Sequence, residues 1–349
     1  MESEIELIKK EYPLESIKKI ISKFKSLKVL VIGESIIDDY NFVVPKGRAT
    51  KDPILSVDYI RSEAYAGGIL AIANHISNFA DEVMCITAIG DRNNRREFIE
   101  GALNKNIKIK FITKQDSPTI TKMRYLDIHR NEKLFKVEYI NDAPISAEIE
   151  QELLEFLKSE LPKYDLTVVG DFGHGLITDK IIDMMEEKAN FLSVNVQSNS
   201  ANLGFNYATK YNSPDYLTMD AQELRYAVSD RFSEIPVLMK KLSDKKRFNR
   251  FLVTMSKKGS GYFSSGKLSF FPAFVMRPHD TVGAGDAVFS ITSLFACCNC
   301  DSIIPFIANC AGGIAVSYIG NKESITKEGL LSFIEEVYRG DKKTLSGKE

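Results

Sequence analysis

Short apolar segments alternate with helical patterns along most of this chain, and the alternation limits the possible folds more than any other feature. The first segment, 28–33, reads Lys-Val-Leu-Val-Ile-Gly. An apolar run that ends in glycine is typical of a parallel strand buried on both faces. Similar segments recur at 83–89, 166–170, 192–196, 216–219 and 251–254. Helical patterns lie between them at 148–161, 180–188, 221–228 and 236–242. The alternation predicts an α/β fold with a doubly wound, mostly parallel sheet.

Two stretches, 41–60 and 119–139, interrupt this alternation. Within the second, residues 119–125 alternate in polarity and residues 134–139 could return as a partner strand. Together the stretches predict a small antiparallel β lid inserted into the sheet domain. Such a lid can exclude water from a reaction, and two lids can pair between subunits. The alternative is a solvent-facing hairpin without a role.

The two ends of the chain differ from this body. Residues 1–25 carry lysines on one side of a helical pattern and apolar side chains on the other, namely Ile17, Ile20, Ile21 and Phe24. We expect a helical extension that packs on the domain or on a partner subunit. One main domain then covers 26–340, and 341–349 form a flexible tail.

Composition narrows the class of protein. The chain has 349 residues, 44% of them hydrophobic, and its 46 basic and 47 acidic side chains leave a formal charge of −1. This balance offers no field for a polyanion, so nucleic acid is not an expected partner. No apolar run reaches the roughly 18 residues of a membrane span, and no export signal opens the chain, which predicts a cytoplasmic protein. The cysteine count is odd, and we expect buried thiols rather than disulfides or a metal site. The cysteines are Cys85, Cys297, Cys298, Cys300 and Cys310.

The segment 280–286, Asp-Thr-Val-Gly-Ala-Gly-Asp, directly precedes an apolar helical stretch. Its two glycines let several backbone N–H groups point at one anion, and the following helix adds the positive end of its dipole. Asp286 would stand beside a bound phosphate, where its charge is unfavourable unless it has a chemical task. Accepting a proton from an attacking hydroxyl is such a task. The alternative is a helix start in which Asp286 only favours the dipole.

The same segment resembles the C-terminal signature of the ribokinase-like, or PfkB, carbohydrate kinases, and Gly67-Gly68 resembles their N-terminal glycine pair. The likeness runs from about 28 to 335. Within the family it is closest to the bacterial D-glycero-β-D-manno-heptose 7-phosphate kinases, on the segments 33–40, 117–124 and 170–175. The resemblance implies an ATP-dependent kinase that transfers the γ-phosphoryl group to a hydroxyl of a sugar or sugar phosphate, with Mg²⁺. A P-loop kinase is excluded because the GxxxxGK[ST] pattern is absent.

The resemblance also implies roles for individual residues. Asp286 would be the catalytic base, beside an anion hole made by the amides of Gly283, Ala284 and Gly285. The implied substrate-binding residues are Asp38, Gly67, Gly68, Asn74, Arg124 and Asp171. The implied ATP-binding residues are Thr254, Ser256, Gly259, Asn309 and Gly313. Asp220 and Glu223 would act indirectly on the metal. Plain structural roles are the alternative for Asp38, Glu223, Thr254, Ser256 and Asn309.

Three positions depart from the family pattern. The family has an asparagine where this chain has Ala71, and Asn74 lies one helical turn beyond. It has Asp-Pro-Lys where this chain has Asn195-Val196-Gln197, and a lysine where this chain has His174. Two cations near the phosphates are thereby missing, each worth roughly 1.5–3 kcal/mol. The lid offers replacement charges at Arg48, Lys51, Lys122 and Arg124.

Two rival functions stay open on this evidence. One keeps the fold and changes the acceptor to a nucleoside or an unphosphorylated sugar. The other is a catalytically inactive, ligand-binding regulator, for which an intact Asp286 would be unnecessary. In every case we expect small-molecule partners and a homodimer that pairs through the lid.

Overall fold

The computed structural model describes residues 2–199, 202–246, 248–274 and 278–340. Within these ranges the strands are β1 Lys28–Arg48, β2 Leu55–Gly68, β3 Glu82–Arg92, β4 Ile107–Pro118, β5 Ile120–Asp127, β6 Glu132–Tyr139, β7 Leu166–Asp171, β8 Leu192–Val196, β9 Tyr216–Asp220, β10 Arg250–Thr254, β11 Ser260–Ser264 and β12 Lys267–Phe271. The helices are α1 Glu2–Glu11, α2 Leu14–Phe24, α3 Ile69–Ser77, α4 Arg96–Ala102, α5 Ala147–Glu160, α6 Asp179–Lys188, α7 Ala221–Val228, α8 Ile235–Lys246, α9 Ala284–Cys297, α10 Ile304–Ala315 and α11 Lys327–Arg339.

The main sheet has the strand order β12-β11-β10-β9-β8-β7-β1-β3-β4. Every pairing from β10 to β4 is parallel, and β11 and β12 add antiparallel strands at one edge. Helices cover both faces: one apolar cluster includes residues of α3, α9 and α10, and the other includes residues of α5, α6 and α8. The predicted doubly wound, mostly parallel α/β fold is confirmed. Its loops at the carboxyl ends of the parallel strands form the region where such folds bind ligands.

The lid is a four-stranded sheet with the order β2-β1-β5-β6. The strand β1 is 21 residues long, so it runs through the main sheet and continues into the lid. The pairs β1–β2 and β5–β6 are antiparallel, as predicted, whereas β5 lies parallel to β1. The parallel pair arises because the chain passes through β3, α4 and β4 before it enters the lid again in the direction of β1. The lid is therefore mixed rather than wholly antiparallel.

The N-terminal segment forms two helices, α1 and α2, rather than one. Pro13 stands at the start of α2, and a proline disfavours helical geometry in the residue before it. Ile17, Ile21 and Phe24 are fully buried, and the Phe24 ring meets the Phe295 ring of α9 edge-on at 5.0 Å. The apolar side predicted from the sequence thus packs on the main core. Residues 341–349, expected to form a flexible tail, lie outside the described residues.

Each helix among the described residues is too short or too polar to span a lipid bilayer.

Candidate active site

The glycine loop, residues 280–285, leads into α9 and is held in place by the carboxylate of its first residue, Asp280. Oδ1 of Asp280 accepts a hydrogen bond from the Val282 N–H at 3.2 Å, and Oδ2 accepts from the Gly320 N–H at 3.1 Å and the Tyr40 hydroxyl at 2.9 Å. Gly283 begins α9 with φ of 81°, the left-handed region that favours glycine. The first N–H groups of a helix lack helical partners, so this loop can present donors to an anion, with the Ala284 N–H also donating to the Thr281 carbonyl at 3.3 Å.

Asp286 lies in the first turn of α9 and is only 7% exposed, yet it lines an open cleft. Its Oδ1 accepts a hydrogen bond from Nε2 of Gln197 at 2.6 Å. Burial raises the pKa of Asp286 to about 7, and the charge of Asp38 acts in the same direction. The Gln197 hydrogen bond and the charge of Lys122 act against that rise. A carboxyl group with this pKa can both lose and accept a proton near neutrality.

The cleft has a volume of about 790 Å³, within the range of small-molecule sites. It brings together four segments that lie far apart in the sequence. Its lining includes Asp220, Glu223, Thr254, Ser256, Gly259, Gly283, Ala284, Gly285, Asp286, Asn309 and Gly313. Lys257 and Lys258 line it too. These lysines add positive charge to the cleft.

The turn after β10 and the helix α10 form one wall of this cleft. Gly259 has φ of 89°, and a Cβ there would lie 2.0 Å from the carbonyl oxygen of Phe271. Asn309 donates from Nδ2 to Oγ of Ser260 at 2.9 Å and to the Pro305 carbonyl at 2.8 Å. Asn309 thus ties α10 to β11, and Gly259 lets the turn approach the end of β12. Gly259 and Asn309 therefore line the cleft and also have contacts that support the fold.

Asp38 lies at the base of the lid and is 4% exposed. Its Oδ1 accepts a hydrogen bond from Arg124 of β5, and its Oδ2 accepts from Nδ2 of Asn321 at 3.1 Å. A Cβ on Gly67 would lie 2.2 Å from Oδ2 of Asp38, so only glycine fits there without a shift. A Cβ on Gly283 would lie 2.0 Å from Oδ1 of Asn321. One asparagine therefore bridges the lid base and the glycine loop.

Sequence reasoning missed Asn321. The only signal at this position is the dipeptide Gly320-Asn321, which is typical of a turn and carries no information about its distant partners.

Residues 26–292 match the pfkB family carbohydrate kinases. The chain belongs to that family. Its members are carbohydrate kinases, phosphotransferases whose acceptor is an alcohol group, and membership implies the use of ATP. The sequence-based identification of the family is confirmed.

Two curated relatives of this pfkB-family chain are named bifunctional protein HldE. The protein from Geotalea uraniireducens is 23% identical over 311 residues, covering 88% of this chain and 63% of the relative. The protein from Campylobacter jejuni is 24% identical over 313 residues, covering 88% of this chain and 64% of the relative. The chain thus spans less than two thirds of the length of these relatives.

Solved structures share the fold of this kinase. Phosphofructokinase-2 from Escherichia coli, in complex with potassium, superposes with a TM-score of 0.70 at 14% identity, covering 89% of this chain and 99% of the other. Ribokinase from Thermotoga maritima superposes with a TM-score of 0.65 at 17% identity, covering 88% and 99%. At these identities the likeness concerns architecture.

Two residues of the predicted substrate set have other partners in this kinase. Asn74 donates from Nδ2 to the Ala102 carbonyl at 2.9 Å, and its Oδ1 accepts from the Asn104 N–H at 3.0 Å. Both polar ends of its side chain are thus used between α3 and the α4–β4 connection. A contact of Asn74 with the substrate stays a prediction.

Asp171 is fully buried, and its Oδ2 accepts from the Tyr211 hydroxyl at 2.8 Å and pairs with Nζ of Lys210 at 2.6 Å. Its Oδ1 accepts from Nδ2 of Asn206 at 3.2 Å. These contacts hold the chain that follows β8, and a role of Asp171 in substrate binding stays a prediction.

His174, which replaces a family lysine, is a neutral group in this kinase. Its Nδ1 lies 2.6 Å from Oδ1 of Asp142, and burial lowers its pKa despite that contact. Nε2 is buried and has no hydrogen-bond partner among the described residues. His174 therefore supplies no positive charge in place of the lysine.

Proposed function

We propose that this chain transfers the γ-phosphoryl group of ATP to a hydroxyl of a sugar or sugar phosphate, with Asp286 as the general base. The observation that carries the proposal is the place of Asp286, which lines the cleft one residue after the glycine loop. A pKa of about 7 leaves a large ionised fraction at neutral pH and makes the carboxylate basic enough to take a proton.

The proposed reaction places ATP at one end of the site and the acceptor at the other. ATP occupies the cleft between α10 and the turn 254–259, with its terminal phosphate above the amides of Gly283, Ala284 and Gly285. Asp286 takes the hydroxyl proton while the acceptor oxygen bonds to phosphorus and the bond to ADP breaks. The loop amides and the dipole of α9 stabilise the charge on the transferred group. The lid covers the acceptor and keeps water from competing.

Magnesium fits this site as an ion held mainly by the nucleotide. Glu223 accepts from the N–H groups of Ser198 at 2.8 Å and Asp220 at 2.7 Å, one on each oxygen. Oδ1 of Asp220 accepts from the N–H groups of Gln222 and Glu223, and Asp220 lines the cleft. The described residues contain no cluster of three ligating side chains. When bound, Mg²⁺ would neutralise phosphate charge, with Asp220 acting directly or through water.

The acceptor would lie against Asp38, Gly67 and Gly68, beneath the lid. In β5, Lys122 pairs in register with Asp38, and Arg124 contacts the Asp38 carboxylate. Burial lowers the pKa of Lys122, while the charge of Asp38 favours its protonated form. These two cations support a phosphorylated acceptor, and the sequence resemblance to heptose 7-phosphate kinases points to the same class.

The proposed assembly is a homodimer that pairs through the lid. The lid strands and the connection between β1 and β2 expose apolar side chains, an unusual cost for a monomer. They are Ile54, Leu55, Tyr59, Ile60, Phe135, Val137 and Tyr139. A second copy of the same sheet would cover this surface.

A panel of acceptors tests the function. Purified protein is incubated with ATP, Mg²⁺ and sugars, sugar phosphates or nucleosides, and ADP release is followed with identification of the product by mass spectrometry. We expect turnover above the ATP-only background with a sugar or sugar phosphate. Turnover confined to nucleosides would contradict the acceptor class. Tight sugar binding without ADP release from any acceptor would contradict transfer and favour a regulator.

A further inference from the structure

Gln197 lies directly after β8, and its backbone is fixed on both sides. Its N–H donates to the Asp171 carbonyl at 2.9 Å, and its carbonyl accepts from Nδ2 of Asn206 at 3.1 Å. The side chain extends from this fixed backbone to Asp286. Nε2 of Gln197 donates to Oδ1 of Asp286 at 2.6 Å and to Oδ1 of Asn195 at 2.9 Å. Both protons of the amide are therefore used.

One backbone carbonyl fixes which atom is oxygen and which is nitrogen in the side-chain amides of Asn195 and Gln197. The backbone carbonyl of Thr218 can only accept, so the Asn195 atom 3.1 Å from it is Nδ2. Oδ1 of Asn195 then faces Gln197 and needs a donor, which makes the neighbouring Gln197 atom Nε2. The same nitrogen reaches Asp286. The chain Thr218–Asn195–Gln197 thus gives Asp286 a donor and not a carbonyl oxygen.

The two oxygens of Asp286 have different surroundings. Oδ1 is held by Gln197, whereas no group in the described part of the chain donates to Oδ2. The side chain lines the cleft, so the oxygen without a donor is the one available to an acceptor hydroxyl.

We propose that Gln197 is a positioning residue, which holds Asp286 through Oδ1 and presents Oδ2 to the acceptor hydroxyl. The inference rests on the proposed function, in which Asp286 takes the proton. It also accounts for a departure from the family pattern: this chain has Gln197 where the family has lysine, and the glutamine has its own task beside the base.

The Gln197 hydrogen bond affects how the rate of phosphoryl transfer depends on pH. Burial raises the pKa of Asp286, and the Gln197 hydrogen bond opposes this by stabilising the carboxylate. The charges of Asp38 in β1 and Lys122 in β5 also act on Asp286, and Glu223 of α7, whose pKa burial raises to about 8, is a second titrating carboxyl group at the site. They are the same with and without the glutamine amide. Because Asp286 must be ionised to accept a proton, removal of the donor shifts the acidic limb of the rate profile to higher pH.

The experiment compares Gln197→Met, which keeps the volume and removes the donor, with Gln197→Glu, which adds a carboxylate. Turnover is measured from about pH 5.5 to 9.5. For Gln197→Met we expect the acidic limb to move up by about one pH unit, the effect of one ordinary charge-assisted hydrogen bond. At pH values below the limb, the Gln197→Met variant should be about tenfold slower than the wild type. At high pH its rate should approach the wild-type plateau. Gln197→Glu shifts the limb at least as far, because two adjacent carboxylates resist ionisation.

Gln151→Met on the exposed face of α5 is the matched control, because this glutamine is exposed and its amide donates to Glu155 of the same helix. It should leave the profile unchanged. A loss of turnover by the same factor at every pH would mean that Gln197 supports the fold without acting on Asp286. An unmoved limb would overturn the proposal as well.

A second measurement does not depend on activity. The ¹³C-carboxyl resonance of Asp286 is assigned by its absence from Asp286→Asn and titrated in the wild type and in Gln197→Met. We expect a pKa about one unit higher in the variant; equal values would reject the proposal. If the wild type phosphorylates no acceptor, the proposed function fails, and the titration still decides whether Gln197 controls the ionisation of Asp286.

Discussion

Nζ of Lys133 lies 2.6 Å from Oδ1 of Asp280, so an ion pair joins the lid strand β6 to the first residue of the glycine loop. Burial by itself would raise the pKa of Asp280, but Lys133 and the Val282 N–H hold it below its ordinary value. The hydroxyl of Tyr40, in the lid strand β1, donates to the same carboxylate. The position of the lid and the shape of the anion site are therefore coupled through one side chain.

Replacement of Lys133 should loosen the lid. Lys133 is 40% exposed, so its ion pair is worth only about 0.2–1 kcal/mol. For Lys133→Met we expect a two- to fivefold higher KM for the acceptor, roughly the same free energy, with little change in the KM for ATP. Steady-state kinetics measure both constants. Lys46→Met is the control, since it removes an exposed ion pair with Asp58 that lies on the surface of the lid. Equal acceptor KM values in the two variants would contradict the coupling.

Asp286→Asn tests the base directly. The substitution keeps the size of the side chain and its acceptor oxygen for Gln197, and it removes the ability to take a proton. We expect turnover to fall by about 10²–10⁴, the contribution of positioned proton transfer. ATP binding, measured by calorimetry, should stay within about threefold, because the glycine loop is unaltered. Asp183→Asn on the exposed side of α6 controls for a general loss of acidic charge. Wild-type turnover in Asp286→Asn would show that another group is the base.

The same substitution should stabilise the fold at alkaline pH. Because burial raises the pKa of Asp286 from 3.8 to about 7, the folded state holds a proton that the unfolded state releases. The stability of the wild type therefore falls as pH rises between these values and is lower above pH 7. The asparagine side chain of the variant would stay neutral throughout. The gain over the wild type should grow from pH 5 to pH 8 and reach at most about 4 kcal/mol.

Urea unfolding of both proteins at the two pH values measures this difference. A difference that does not vary with pH would mean that Asp286 is not desolvated in the folded protein.

The strands that could be predicted from the sequence are those buried on both faces. The segments 28–33 and 166–170 are apolar at almost every position because helices cover both sides of the sheet there. β4 was not predicted, since it lies at the edge and alternates isoleucine with lysine over 107–110. β12 lies at the other edge, is exposed along most of its length and was missed for the same reason. β11 lies between β10 and β12 and is buried, but it is only five residues long and has a serine at each end. A buried parallel strand has a plain signature, whereas an edge strand looks like many polar segments.

The candidate site could be predicted where its chemistry is consecutive in the chain. The loop 280–286 combines glycines, a helix start and a carboxylate, and these features have meaning without knowledge of the fold. Contacts between distant residues have no such signature. Asn321 reaches Asp38 across 283 positions, and Gln197 reaches Asp286 across 89. The partners of Asn74 likewise have no signature: it lies one helical turn beyond Ala71, and its amide donates to the Ala102 carbonyl.

The exposed apolar face of the lid predicts the oligomeric state. Tyr59 on β2 and Phe135 on β6 are 60% and 42% exposed. We expect the wild type to sediment with twice the mass of one chain, and the double variant Tyr59→Glu, Phe135→Glu to sediment with the mass of one. Carboxylates facing each other across an apolar interface lose hydration without gaining a partner. Phe232→Glu, at an 88% exposed site outside the lid, is the control and should stay dimeric. Analytical ultracentrifugation distinguishes the forms; a monomeric wild type, or a dimer that survives the double substitution, would place any interface elsewhere.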